Sequence, residues 1–158
     1  MPHLQYAVRF PLRYANAVRK LRWADVFLLA RMVYLLAKLL ILQSRRPLPV
    51  LMAMFDSAPG SHLHYRMPPR RLVRLVDTLM RLTFGKDYCM KRSILLFHFL
   101  RAWGYDAVVH FGVTKTDGVL KGHAWVDLNG WPLAERKDPR TEYIRTFSYP
   151  SNTGMSDP

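Results

Sequence analysis

The chain has 158 residues, and 24 Lys and Arg stand against 11 Asp and Glu, a formal charge of +13 at neutral pH. Half of it is apolar and 13% is aromatic, which excludes a disordered polyelectrolyte and suits one domain around a single core. The one cysteine excludes an internal disulfide framework and a multi-cysteine metal site, and such a thiol sits most easily in the reducing cytosol.

Met1 to Lys20 scatters Arg9, Arg13, Arg19 and Lys20 among isolated apolar residues, without the apolar run of an export signal. Residues 1–22 can be assigned only as a helix or strand containing Tyr6 to Phe10. From Trp23 to Gln43 the chain is rich in Leu, Ala, Met and Arg and stops before Arg46-Pro47-Leu48-Pro49, which predicts a helix. Its apolar part, Val26 to Leu42, is interrupted by Arg31 and Lys38 and falls short of the roughly 20 residues a membrane span needs. A helix buried in the core or covered by a partner is expected, with contact at a membrane interface as the lesser alternative.

A proline-rich connector from Ser44 to Pro69 follows, with a short helix at Val50 to Phe55. Leu72, Leu75, Val76, Leu79 and Leu82 then recur at helical spacing, with Arg70, Arg71, Arg74, Asp77 and Arg81 on the other, solvated side, and Gly85 marks the stop. Asp87 is placed to cap a third helix from Tyr88 to Trp103, apolar around most of its circumference and therefore central, with Gly104 as its C-cap.

Beyond Gly104 the pattern becomes extended. Strands are expected at Ala107 to Val113, Lys121 to Leu128 and Trp131 to Leu133, with turn chemistry at Thr114 to Gly118 and a further strand at Tyr143 to Phe147. Trp125 and Trp131 read as packing residues. The fold class is α+β, with N-terminal helices and a central Cys-bearing helix packed on an antiparallel sheet. The organisation expected is an N-terminal helical extension (1–67) packed on a catalytic core (68–149), then a flexible tail (150–158).

Cys89 in the first turn of a buried helix meets the positive end of the helix dipole, which favours its thiolate. Such a nucleophile needs a base that can also protonate a leaving amine, and an imidazole does both near neutral pH. His123, on the following sheet, is the candidate. His98 lies nine residues along the Cys89 helix, about 13 Å away by the helical rise; His110, His3, His62 and His64 read as structural or solvated.

Two carboxylates compete to orient the imidazole, Asp127 and Glu135. Asp127 shares a strand face with His123 but lies about 13 Å along it at strand rise. Glu135 depends on the turn. A two-residue Asn129-Gly130 loop sends Glu135 to the wrong face, whereas a three-residue Leu128-Asn129-Gly130 loop with Gly130 left-handed sets His123 opposite Glu135. The second register is the one expected. The sequence holds no His and Cys ligand set and no glycine-rich phosphate loop, so neither a metal nor a nucleotide cofactor is indicated.

Cys89-Met-Lys-Arg92-Ser93 before an apolar helix, then Gly122-His123-Ala124-Trp125-Val126-Asp127 and Asn129-Gly130, resembles the transglutaminase-like cysteine peptidases of lasso peptide biosynthesis, the lasso peptide B proteins. The resemblance covers about residues 68 to 136. It implies a papain or transglutaminase-like fold and a cytoplasmic leader peptidase that cuts a ribosomally made precursor. It further implies a separate leader-recognition protein and an ATP-dependent macrolactam synthetase as partners. The family usually has Asp about twelve positions after the histidine, where this chain has Glu135. Two other functions remain open on the residues alone: an acyltransferase passing the same thioester to an amine, and a non-catalytic adaptor binding an acidic peptide through its basic helices. Nucleic acid is disfavoured, since no lysine-rich run or zinc-finger spacing accompanies the charge.

Overall fold

A computed structural model describes residues 23–57, 66–85 and 88–151. The expected element at Tyr6 to Phe10, the expected cap Asp87, the histidines His3, His62 and His64, and residues 152–158 of the tail lie outside them. The chain divides into two units, Met1–Tyr34 and Leu35–Pro158. Helix α1 (Trp23–Leu42) begins in the first and ends in the second. In the second unit its Leu35, Leu36 and Leu39 are buried while Ile41 is exposed, and the Lys38 ammonium sits 5.3 Å above the Phe55 ring.

Helix α2 (Leu48–Phe55) starts two residues before the expected Val50, because proline is tolerated in a first turn whose N–H groups have no intrahelical acceptor. Leu51, Met52 and Phe55 form its buried side. Helix α3 (Pro69–Phe84) buries Leu72, Val73, Val76 and Met80 and keeps its basic side outward, ending at Gly85 with φ 70°.

Helix α4 (Cys89–Ala102) is the centre of the core, with every side chain from Arg92 to Leu100 buried. It closes in a Schellman motif: Tyr105 N–H donates to Leu100 O (3.0 Å) and Gly104 N–H to Arg101 O (2.9 Å), with Gly104 at φ 75°. His98 ties this helix to the end of α2, its Nδ1 2.9 Å from Phe55 O. That interior bond explains a buried histidine remote from any chemistry.

The sheet has the order β3-β2-β1-β4 and is antiparallel throughout. Strands β1 (Ala107–Thr116) and β2 (Val119–Leu128) pair along their whole length. They are longer than expected because Asp117 (φ 53°) and Gly118 (φ 79°) alone close the hairpin, both left-handed as a type I′ turn requires. Strand β3 is only Trp131–Pro132, and β4 (Ile144–Tyr149) pairs with the free edge of β1.

Alternation divides the sheet into two faces. Val109, Phe111, Ala124 and Val126 lie on the face that meets α4, as the edge-on contact of Phe97 with Tyr149, the residue opposite Val109, makes plain. His110, Gly112, His123, Trp125 and Asp127 share the other face. Trp125 is 1% exposed there and packs as expected, whereas Trp131 is 73% exposed, carried outward at the rim with the Arg140 guanidinium 5.7 Å from its ring. The architecture is α+β, helices packed on a four-stranded antiparallel sheet.

Candidate active site

Cys89 is the first residue of α4. The first intrahelical backbone bond runs from Arg92 N–H to Tyr88 O (2.9 Å), so the N–H groups of Cys89, Met90 and Lys91 have no acceptor within the helix. The Cys89 thiol is held below its usual value chiefly by a hydrogen bond with His123, with the N–H groups of Ala124 and Met90 adding to the effect and burial opposing it.

The Ala124 contact follows from the shortness of β3. A strand residue directs its N–H and C=O to the same neighbour, and residues two apart direct theirs to the same side. Val126 O accepts from Leu133 N–H (2.8 Å) on the β3 side. Ala124, two residues back, points its backbone the same way, but β3 has no residue there to meet it. Helix α4 fills the place: Ser93 Oγ donates to Ala124 O at 2.9 Å, and Ala124 N–H reaches the sulfur. An unfinished strand edge thus docks the helix that carries the thiol.

His123 is raised from 6.5 to about 9, first by its hydrogen bond with Cys89 and next by that with Glu135, against partial burial. Its Nε2 lies 3.3 Å from Glu135 Oε2. The ring lies between Trp125, stacked at 6.1 Å, and Tyr143, tilted at 5.0 Å. Gly112, directly opposite His123 on β1, admits Tyr143: a Cβ there would lie 3.0 Å from both Tyr143 Cβ and Ile144 O. Burial pushes the Tyr143 phenol upward, so it stays protonated.

The expected turn is corrected. Leu128 pairs with Trp131 and Asp127 with Pro132, the two-residue register, with Asn129 at φ 51° and Gly130 at φ 82°. Asparagine tolerates the left-handed region, so Asn-Gly makes a type I′ turn and no third residue is needed. Gly130 has the positive φ expected of it, but this register by itself aims Glu135 away from His123. The chain re-aims it immediately after β3, where Ala134 takes φ 57° and turns Glu135 back under the imidazole.

Asp127 is placed elsewhere. Its Oδ2 faces His110 Nε2 at 3.4 Å, while His110 Nδ1 is 2.7 Å from Oγ of the half-buried Ser148 on the same sheet face. The structure therefore brings together Cys89, His123 and Glu135, and sets Asp127 apart.

Arg92, Asp77, Tyr143 and Gly112 also build the site, and Asp77, expected on the solvated side of its helix, bonds Arg92 instead. Arg92 is 9% exposed. Its Nε donates to Asp77 Oδ1 (2.7 Å) and its Nη1 to Glu135 Oε1 (3.0 Å). The available signal was a charged residue about one turn after the cysteine, at the start of the run that is buried from Arg92 to Leu100. A cleft of about 890 Å³ opens over the thiol and imidazole, with Arg81, Tyr88, Arg136, Lys137 and Glu142 among its lining.

A thiol lowered, an imidazole raised and a carboxylate behind it favour a thiolate–imidazolium pair, the form that attacks an acyl carbon and protonates its leaving group. The transglutaminase-like superfamily model matches residues 29–148, most of the chain and all of this site. The chain belongs to the transglutaminase-like superfamily. That superfamily includes cysteine peptidases and acyltransferases, and the fold and the thiol–imidazole pair of this member suit such chemistry. No curated protein and no solved structure matches significantly. Among the described residues no group of three or more His, Cys, Asp or Glu is arranged to hold a metal ion, and no helix is long and apolar enough to cross a membrane.

Proposed function

We propose that this superfamily member is a cytoplasmic cysteine endopeptidase that removes the leader from a ribosomally synthesised lasso peptide precursor. The observation that carries the reading is the line Cys89, His123, Glu135 at the floor of an open cleft, the thiol lowered and the imidazole raised by their mutual hydrogen bond. The lasso assignment adds to it the run Cys89 to Ser93, the run Gly122 to Asp127 and Asn129-Gly130, quoted above for their resemblance.

The Cys89 thiolate attacks the carbonyl carbon of the leader's last residue, and negative charge gathers on the carbonyl oxygen. The Cys89 N–H at the helix start, which has no acceptor within the helix, is one donor for that oxyanion. His123, its Nε2 engaged by Glu135, gives a proton to the amine of the core peptide as the C–N bond breaks, leaving a thioester and a neutral imidazole. Water then attacks the thioester, His123 takes one of its protons, and the C–S bond breaks to return the thiolate, the imidazolium and the leader's carboxylic acid, which gives its remaining proton to solvent. In this reading a separate recognition protein delivers the leader, and an ATP-dependent macrolactam synthetase takes the released core.

The test is incubation of the chain and its recognition partner with the precursor, read by mass spectrometry. Leader release that disappears in a folded Cys89→Ala variant is expected; cleavage that persists in it removes the proposal. Superfamily membership also favours one rival, capture of the thioester by an amine, and the same spectra separate the two because hydrolysis adds water whereas transfer adds the amine.

A further inference from the structure

Arg92 stands three residues after Cys89, about one helical turn, so its side chain leaves α4 on the same side as the thiol, yet the hydrogen bonds of its guanidinium go to Asp77 and Glu135. A guanidinium so deeply buried must be matched by anions, and two elements supply them: Asp77 from α3 and Glu135 from the segment after β3. The two carboxylates are not equivalent. Asp77 bonds the guanidinium at 2.7 Å, on the helix side, while Glu135 divides its oxygens, Oε1 to Arg92 at 3.0 Å and Oε2 to His123 at 3.3 Å. The backbone does little to hold Glu135, which follows the left-handed Ala134 and lies beyond the end of β3. Its carboxylate orientation is therefore set by side chains: one oxygen accepts a charge-assisted hydrogen bond from Nη1 of a guanidinium whose Nε is already held by Asp77.

We infer that Arg92 is a positioning residue for the proposed chemistry: anchored by Asp77, it clamps Oε1 of Glu135 so that Oε2 is presented to His123. The inference rests on the Cys89–His123 reading above but not on the identity of the peptide. It also gives Glu135 a role for its length, since one carboxylate has to reach both the guanidinium on the helix and the imidazole on the sheet. The other charged or titratable groups facing the cleft are Arg81 from α3, Tyr88 just before α4, and Arg136, Lys137, Glu142 and Tyr143 from the segment between β3 and β4. None of them is hydrogen-bonded to Glu135.

The experiment measures the rate of Cys89 alkylation by iodoacetamide against pH, which needs no substrate, in four proteins: the unaltered chain, Arg92→Met, Glu135→Ala and the double variant. Circular dichroism checks that each is folded. Arg92→Met should raise the midpoint of the profile by about one pH unit, or about tenfold slower alkylation at pH 7. In the Glu135→Ala background the same change should alter the rate less than about twofold, because a residue that acts through Glu135 has nothing left to act on. Equal and additive effects in the two backgrounds would overturn the inference, showing that the guanidinium acts on the thiol directly or only holds the helices together. Should Arg92→Met fail to fold, Arg92→Met with Asp77→Asn removes the cation together with one carboxylate, and its profile is judged by the same criterion. An unaltered chain that shows the low-pH profile but never cleaves a precursor refutes the leader peptidase reading and leaves this one standing.

Discussion

Replacing His123 with Ala tests the thiolate–imidazolium pair directly. Raising the imidazole from 6.5 to about 9 corresponds to about 3 kcal/mol at 1.36 kcal/mol per pH unit. The ring is 24% exposed, and water screening leaves about half of that, roughly 1.5 kcal/mol or about tenfold in thiolate population. A sulfur made less basic is also intrinsically less nucleophilic, which offsets part of the gain in absolute rate, so the shape of the pH profile is the decisive observable. The sign follows from the directions of the shifts: the pair exists above the lowered titration of the thiol and below about 9, where the imidazolium loses its proton. In the unaltered chain alkylation should therefore titrate about one pH unit below its midpoint in the variant. In His123→Ala it should fall about tenfold for each pH unit, as for an ordinary thiol near 9.0. A folded His123→Ala variant with the same profile as the unaltered chain would refute the pairing and with it the proposed hydrolysis.

The packing behind the site yields three further expectations. Gly112→Ala forces a methyl against Tyr143, Ile144 and Trp125 at 3.0 to 3.1 Å, and should lower stability by about 1–3 kcal/mol in urea unfolding, whereas Gly122→Ala, whose nearest neighbour is 4.0 Å away, should change it little. Ser93→Ala strips the hydroxyl from the Ala124 carbonyl and should lose about 1–3 kcal/mol by the same measurement. Ala134→Val puts a β-branched residue at φ 57°, turning Glu135 away and slowing cleavage about tenfold or more, while Ala134→Gly should keep full activity and melt no lower than the unaltered chain.

Much of this was legible from residues alone, and for identifiable reasons. The helices at Trp23, Leu72 and Cys89 announce themselves by composition, period and their glycine or proline stops, because burial of one side enforces a 3.6-residue pattern. Cys89 and His123 could be paired from the sequence because a helix start and a strand each limit where a side chain can point. Glu135 could be proposed but not aimed: the turn register argued for it is not the one adopted, and the left-handed alanine that actually turns it carries no compositional signal. Asp127 looked equally plausible because alternation reveals which face a residue shares, not which neighbour it meets, and its neighbour is His110. Arg92 and Asp77 meet across two helices, a tertiary pairing that no local pattern encodes.

The unfinished third strand has a wider consequence. Where a complete sheet would have closed its own border, this one leaves a gap of about one backbone unit, and the nucleophile's helix is plugged into it. Lengthening that strand by two residues would evict the sulfur. The catalytic competence proposed for the chain therefore depends on where pairing stops as much as on which groups are present, and a better-formed sheet would be a worse enzyme.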